Sequence, residues 1–314
     1  MSTLGLILYI ILQVAFLPLA LVGVMLVAYR QIVVSKRLGI SQTAIEVLNG
    51  RWTMHIFDIR ADRASAELAA TLPNTSLTGL WLCLFPLWLK YKISGKLFLY
   101  PRIPALGEEN LGDLVTARTL YFDRIIERVL GEVEQFVIMG AGYDTRAYGC
   151  LQRGDVTAFE LDQEVVQNHK RKAIADAGIP SDHVHFVTVD FSHDNVFEKL
   201  SQAGYDSTRR TLFLWEGVTL YLSEFEVRKT MHDIQQQAQT GSVLLADLYS
   251  DRMVKIGKNA ATKKVLDYTD EGFGFSLDLS DNYEETLTNF VESESLSVGE
   301  SFFMGHSNDK GPFM

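Results

Sequence analysis

Five short apolar runs, each ending on or beside a glycine or an acidic residue, constrain this chain more than anything else in it. They are Phe136–Gly140 (FVIMG), Val156–Glu160 (VTAFE), His185–Val189 (HFVTV), Thr211–Glu216 (TLFLWE) and Ser242–Leu248 (SVLLADL). Each is too short for a typical helix, and so apolar a run suits a strand covered on both faces. Amphipathic helices are expected between them, at about 162–177, 192–204 and 223–239. Strands alternating with helices predict an α/β fold, a doubly wound parallel sheet with helices on both sides. In such sheets ligands bind beyond the carboxyl ends of the strands.

Composition narrows the class further. With 47% hydrophobic residues, 7 prolines and 23 glycines in 314 residues, the chain is neither disordered nor fibrous. A formal charge of −10 argues against a general nucleic-acid binder. Cys83 and Cys150 stand far apart without CxxC spacing or histidine partners, so neither a disulfide scaffold nor a metal site is expected. The charge is unevenly spread: residues 1–107 carry ten Lys/Arg against four Asp/Glu, and residues 108–314 nineteen against thirty-five. A basic, apolar head on an acidic body suits a chain whose head alone meets an anionic membrane surface.

Leu4 to Tyr29 is a run of 26 residues without a charge. As a helix it would be about 39 Å long, enough to cross a hydrocarbon core of about 30 Å with tilt. Met1-Ser2-Thr3 lacks the basic side chain that opens a secretory signal, whereas Arg30, Lys36 and Arg37 follow the run. The expectation is a single-pass span with the rest of the chain cytoplasmic. Pro18 permits a kink, or a re-entrant helix instead. A second apolar stretch, Leu77–Leu89 (LTGLWLCLFPLWL), is too short to span unaided and contains Pro86. Trp81 and Trp88 suit the headgroup level, and Lys90, Lys92, Lys96 and Arg102 follow, so bilayer contact is expected over 77–96 as well as 4–29. The alternative is a helix packed on the main domain. Asn74-Thr75-Ser76 has glycosylation spacing, a chance match on the cytoplasmic side.

The strand ends carry the chemistry. After the first run comes Gly140-Ala141-Gly142-Tyr143-Asp144-Thr145-Arg146, where glycines let the backbone turn tightly and approach a ligand. Thr145 stands where a dinucleotide fingerprint wants Gly or Ala, and the Asp144 carboxylate is a poor neighbour for a pyrophosphate. The second run leads into Glu160-Leu161-Asp162, where an acid can accept both ribose hydroxyls. The third leads into Asp190-Phe191, an acceptor for an exocyclic amine beside a ring that can lie on a base. The fourth ends Trp215-Glu216-Gly217, with Tyr221 one turn onward. Taken singly, each acid could be a helix cap or a solvated loop charge. Together they ask for a ligand with hydroxyls, an amine and positive charge, as in S-adenosylmethionine.

GAGYDTRAY, FELDQ, VDF and LFLWEGVTLYL, preceded by ARTLYFD at 117–123, resemble the leucine carboxyl methyltransferase family. The resemblance covers about residues 108–248 and, weakly, Ser41–Leu72. It implies a class I, Rossmann-like methyltransferase sheet using S-adenosylmethionine and releasing S-adenosylhomocysteine. Arg118 would then pair with the cofactor's carboxylate. Gly140, Ala141 and Gly142 would pass beneath its methionine part, with Asp144 in the same loop. Glu160 would hold the ribose, with Asp162 beside it. Asp190 and Phe191 would bind the adenine, and Glu216 would contact the ammonium. The family's more N-terminal lysine has no secure counterpart. An apolar N-terminal anchor departs from the soluble members.

The implied organisation is an anchor over 1–34, a helical juxtamembrane region over 35–107 with an interfacial segment at 77–89, and the methyltransferase domain over 108–314. The expected activity is O-methylation of a carboxylate or hydroxyl on a lipophilic small molecule. The alternatives are a protein carboxyl methyltransferase and a cofactor-binding membrane sensor without turnover. Tyr221 is the catalytic candidate, orienting an acceptor, or else a packed tyrosine with its hydroxyl at the rim. His306 is a lone histidine and a poor base candidate. A carboxylate acceptor is favoured because it is ionised at neutral pH and needs no base. Asp270–Leu279 and Ser301–Met304 are expected to form a last hairpin, with Phe273 and Phe275 in an acceptor pocket or in the core.

Overall fold

The computed structural model describes residues 3–149, 151–257, 264, 268, 272–307 and 311–314. Its centre is a parallel sheet of β1 (Gln135–Met139), β2 (Thr157–Asp162), β3 (Val184–Thr188), β4 (Thr211–Trp215) and β5 (Val243–Ala246). The order is β3-β2-β1-β4-β5, with every pair parallel. All five expected strands form, within two residues of the expected ends. The order reverses at β1, so the crevice between the ends of β1 and β4 is the place for a ligand.

The two faces follow the period of two in the strands. Phe136, Ile138, Ala158, Leu212 and Leu214 point into one core and Val137, Met139, Phe159, Leu161, Phe213 and Trp215 into the other. The second core is closed by α8 (Val196–Gln202), α9 (Glu224–Gln237) and α11 (Tyr283–Ser293). On the first face lie α3 (Gln42–Ile56), α4 (Arg63–Thr71), α6 (Leu114–Val129) and α7 (Glu164–Ala177). The connection from β1 to β2 holds only a 3₁₀ turn, Arg146–Tyr148, among its described residues. The layer that a crossover helix would fill is supplied by α3 and α4 instead. Ile45, Leu48 and Trp52, three and four residues apart on α3, are buried in that core with Leu68 of α4. The region 35–107 therefore shares one core with the sheet.

The N-terminal run forms α1 (Thr3–Ala28), which continues through a π-helical turn (Tyr29–Val34) into α2 (Ser35–Leu38) and stops at Gly39, φ +67°. Tyr9–Leu38 is the one stretch among the described residues long and apolar enough to cross a membrane, with mean hydropathy 2.6. α5 (Leu77–Ser94) runs antiparallel to it: Gly23 abuts Gly79, and Phe16 stacks on Phe85 at 5.2 Å. Trp81 meets Trp52 edge-on at 5.5 Å, and the Trp88 indole donates to the Ile56 carbonyl at 3.2 Å. The segment expected to lie in the headgroups is thus held between α1 and α3, and its tryptophans serve that packing.

Two expectations for the C-terminal part change. Asp270 and Glu271 lie outside the described residues, and the remainder forms no hairpin with Ser301–Met304. Leu277 bridges Ser250 in parallel, while Met304 exchanges backbone bonds with Phe313 and Met314 at 2.8 and 3.0 Å. Each segment finds its backbone partners in a different neighbour. Asp251 (α10, Asp251–Gly257) donates to the Leu277 carbonyl, and the chain end covers Tyr249 and Leu220.

Candidate cofactor and acceptor site

A cavity of about 660 Å³ opens at the carboxyl ends of β1, β2 and β4. Arg118, Gly140, Ala141, Gly142, Asp144, Asp162, Asp190, Phe191, Glu216 and Tyr221 all line it. Glu160 does not. It lies one pleat deeper on the same face of β2 as Asp162, fully buried, 2.8 Å from the Lys170 ammonium. Since i and i+2 share a face, the acid at the rim is Asp162 and the one beneath it is Glu160.

The glycine loop is built by backbone demands. Gly140 has φ +67°, and a Cβ on it would meet Val218 Cγ2 at 2.3 Å. Gly142 has φ +44° and donates its N–H to Asp162 Oδ2 at 2.6 Å. Ala141 donates to the Leu161 carbonyl at 2.9 Å, so the loop is stitched across the end of β2. Asp190 turns the chain after β3, accepting from Ser192 N at 2.9 Å, and Phe191 lies 6.4 Å from the Trp215 ring.

Beneath the loop lies a buried network of arginines and carboxylates. Arg146 Nη1 is 2.5 Å from both Asp144 Oδ2 and Glu216 Oε2, and its Nε is 2.7 Å from Asp123. Arg51, from α3, reaches Asp144 at 2.8 Å and Glu216 at 3.1 Å. Arg118, from α6, lies 3.0 Å from Glu216 and donates to Asp247 at 2.8 Å and to the Tyr249 hydroxyl at 2.6 Å. Arg60 closes the far side on Asp123 and Asp62. Asp247 also accepts from Gly217 N at 2.9 Å.

These surroundings set the charges. Burial alone would raise Glu216, but Arg146, Arg51 and Arg118 pull it down to about 2. Burial opposes the same effect at Asp144, which Arg146 and Arg51 hold well below the usual carboxylate range. At Asp162 burial wins and raises the carboxyl, against N–H groups from Gly142 and Gln163. Burial likewise raises Glu160 to about 7, with Lys170 opposing it. The cavity thus has an ionised Glu216, already bonded to arginines, and an acid at the β2 end poised to gain hydrogen-bond donors.

Tyr221 lies in a 3₁₀ turn after β4 and donates to the Thr43 hydroxyl at 2.9 Å. Thr43, Val47, Leu111, Leu114, Val115 and Phe273 make the less polar part of the lining. Phe275 belongs to the core, 5.3 Å from the Phe290 ring. His306 bonds the Phe303 carbonyl, and no histidine is among the lining residues. No cluster of potential metal ligands occurs among the described residues. Arg51, Asp247 and Thr43 escape the sequence reading. Arg51 leaves one trace, a cation on the apolar stripe of a helix.

Residues 104–235 match the family model of leucine carboxyl methyltransferase. A relative from Mycobacterium avium (strain 104), named as an S-adenosyl-L-methionine-dependent methyltransferase, is 32% identical over 149 residues, 47% of this chain and 49% of that one. One from Mycolicibacterium smegmatis, similarly named, is 30% identical over 180 residues, 57% and 59%. The chain spans about half the length of the curated relatives it matches. Among solved structures, an O-methyltransferase family protein from Burkholderia thailandensis aligns with a TM-score of 0.41 at 15% identity, over 60% of this chain and 54% of that one. The sequence matches support the leucine carboxyl methyltransferase family for the matched segment. They bear on residues that include the glycine loop and the ends of β2, β3 and β4.

Proposed function

We propose that the protein is an S-adenosylmethionine-dependent O-methyltransferase working at a membrane on a lipophilic small molecule. The observation that carries the reading is the convergence of Gly140, Gly142, Asp162, Asp190, Phe191, Arg118 and Glu216 on one cavity at the reversal point of the sheet. The donor set fits this cofactor. A glycine loop admits no side chain at Gly140, and an acid at the β2 end accepts ribose hydroxyls. Asp190 and Phe191 suit an adenine, and the Arg118–Glu216 pair suits an amino-acid group carrying both charges.

When bound, S-adenosylmethionine supplies an electrophilic methyl group. The chain's own part is to position the acceptor and exclude water. Thr43 and Tyr221 offer hydroxyls at the acceptor side, and the apolar wall from Val47 to Val115 suits a hydrocarbon body. With no histidine at the cavity, an acceptor that is already an anion, such as a carboxylate, suits the site better than one needing deprotonation. The apolar helix running into Gly39–Ser41, which themselves line the cavity, supports membrane delivery of that acceptor.

The test uses detergent-solubilised full chain, methyl-labelled S-adenosylmethionine, and separate lipid, protein and small-molecule fractions. Label in the lipid or apolar small-molecule fraction, lost in Arg118→Ala, is the expected result. Label in a base-labile protein ester would replace it with protein carboxyl methylation. Cofactor binding without any transfer would leave a sensor.

A further inference from the structure

The packing of α1 bears on how it meets a bilayer. Of its inner stripe, Phe16 and Gly23 lie on α5 and Tyr9 meets Phe98 just beyond it, and a Cβ at Gly23 would fall 2.6 Å from the Gly79 carbonyl. α5 in turn rests on the C-terminal turn of α3 and the residue after it, with Trp81 on Trp52 and Tyr91 on Phe57. Level with the middle of α1 there is thus α5, and behind it the end of α3. Near the level of Tyr9 stands the exposed Lys92–Asp58 ion pair, 2.5 Å long. An upright α1 would drag this side of the sheet domain, Asp58 included, into hydrocarbon, where charges are avoided.

Cations also flank the apolar face at both ends. Arg30 and Arg37 lie at its C-terminal end and Lys90, Lys92 and Lys96 beside its N-terminal part, where Lys90 stands 4.9 Å over the Phe98 ring that touches Tyr9. A crossing helix carries an excess of basic residues on its cytoplasmic side. A helix lying in an interface finds anionic headgroups along its whole length. Among the described side chains the face away from α5 is apolar: Ile10, Val14, Leu17, Leu21 and Met25 are each about half exposed or more.

We infer that α1 lies along the bilayer and does not cross it. Its outer face sits in the acyl region of one anionic leaflet, with α5 as the spacer between lipid and sheet. This rests on the membrane part of the proposed function and is independent of the chemistry. Because Gly39–Ser41 line the cavity directly after α2, the arrangement also sets the cavity beside the leaflet that supplies the acceptor.

The experiment measures depth. Nitroxides are placed singly at Ile10, Leu17 and Met25 in the full chain carrying Cys83→Ser and Cys150→Ser, bound to phosphatidylcholine vesicles with and without phosphatidylglycerol. A lying helix gives the three labels equal, shallow depths, and vesicle binding that weakens in salt and without the anionic lipid. A Leu17 label about 10 Å deeper than both others overturns the inference in favour of a span. Failure to bind vesicles, with the three labels protected in a dimer, overturns it in favour of a second copy on that face. Methyl transfer in detergent is read separately, so loss of either reading leaves the other standing.

Discussion

Arg51 Nη1 lies 2.8 Å from Asp144 Oδ2, a bond between α3 and the glycine loop that spans 93 positions of sequence. Both side chains are nearly inaccessible to solvent. The glycine loop is therefore not held by the sheet alone. Its charge is balanced from a helix whose last turn packs against α5.

Removing Arg51 leaves Asp144 and Glu216 with Arg146 as the main remaining cation between them. Breaking a buried pair from one side costs about 3–5 kcal/mol. Arg51→Ala should lower stability by an amount of that order and weaken S-adenosylmethionine binding. Arg51→Lys should recover part of the stability but less of the binding, because the forked contact to two carboxylates is lost. Denaturant unfolding and calorimetric titration separate the two effects.

Gly140 offers a test of steric origin. Gly140→Ala sets a methyl 2.3 Å from Val218 Cγ2, at a backbone φ of +67°. The left-handed conformation alone costs an alanine roughly 1–2 kcal/mol. Gly140→Ala should abolish measurable cofactor binding, and adding Val218→Ala should restore part of it, since the nearest remaining Val218 atom is Cβ at 3.5 Å. If the double variant binds no better than the single one, the collision is not what the glycine avoids.

What the sequence made legible and what it hid divide along physical lines. Strands and strand-end residues follow a local period of two, so Gly140, Asp162, Asp190 and Glu216 could be placed from their neighbours alone. Glu160 and Asp162 share that period, so only depth separates them, and depth depends on Lys170 from a later helix. Arg51 and Asp247 act through partners 93 to 165 and 129 positions away, and no local pattern announces such pairs. α5 is a related case. It is apolar on all sides and meets α1 on one of them and the end of α3 on another, and composition cannot distinguish facing protein from facing lipid.

Glu160 gives a pH signature. Its carboxyl titrates at about 7 in the fold against 4.5 as its ordinary value, so the folded chain holds a proton that the unfolded chain has released. The stability this group contributes is full below pH 4.5 and falls away as pH rises through about 7. The total is on the order of 3 kcal/mol. Glu160→Gln should flatten that part of the stability profile while leaving S-adenosylmethionine affinity within a few-fold. Unfolding free energies from pH 4 to 8 for both proteins provide the check.

Tyr221 and Thr43 address the acceptor rather than the cofactor. Their hydroxyls are joined at 2.9 Å on the wall of the cavity, and removing one leaves the other without that partner. Tyr221→Phe should leave cofactor affinity unchanged. A hydrogen bond to a charged acceptor group contributes about 1.5–3 kcal/mol, so turnover of a carboxylate acceptor should fall about 10- to 100-fold. Loss confined to KM would assign Tyr221 to ground-state binding, and loss confined to kcat to alignment of the acceptor for attack. Unchanged kinetics in both terms would return Tyr221 to the packed wall and leave Thr43 as the hydroxyl to test.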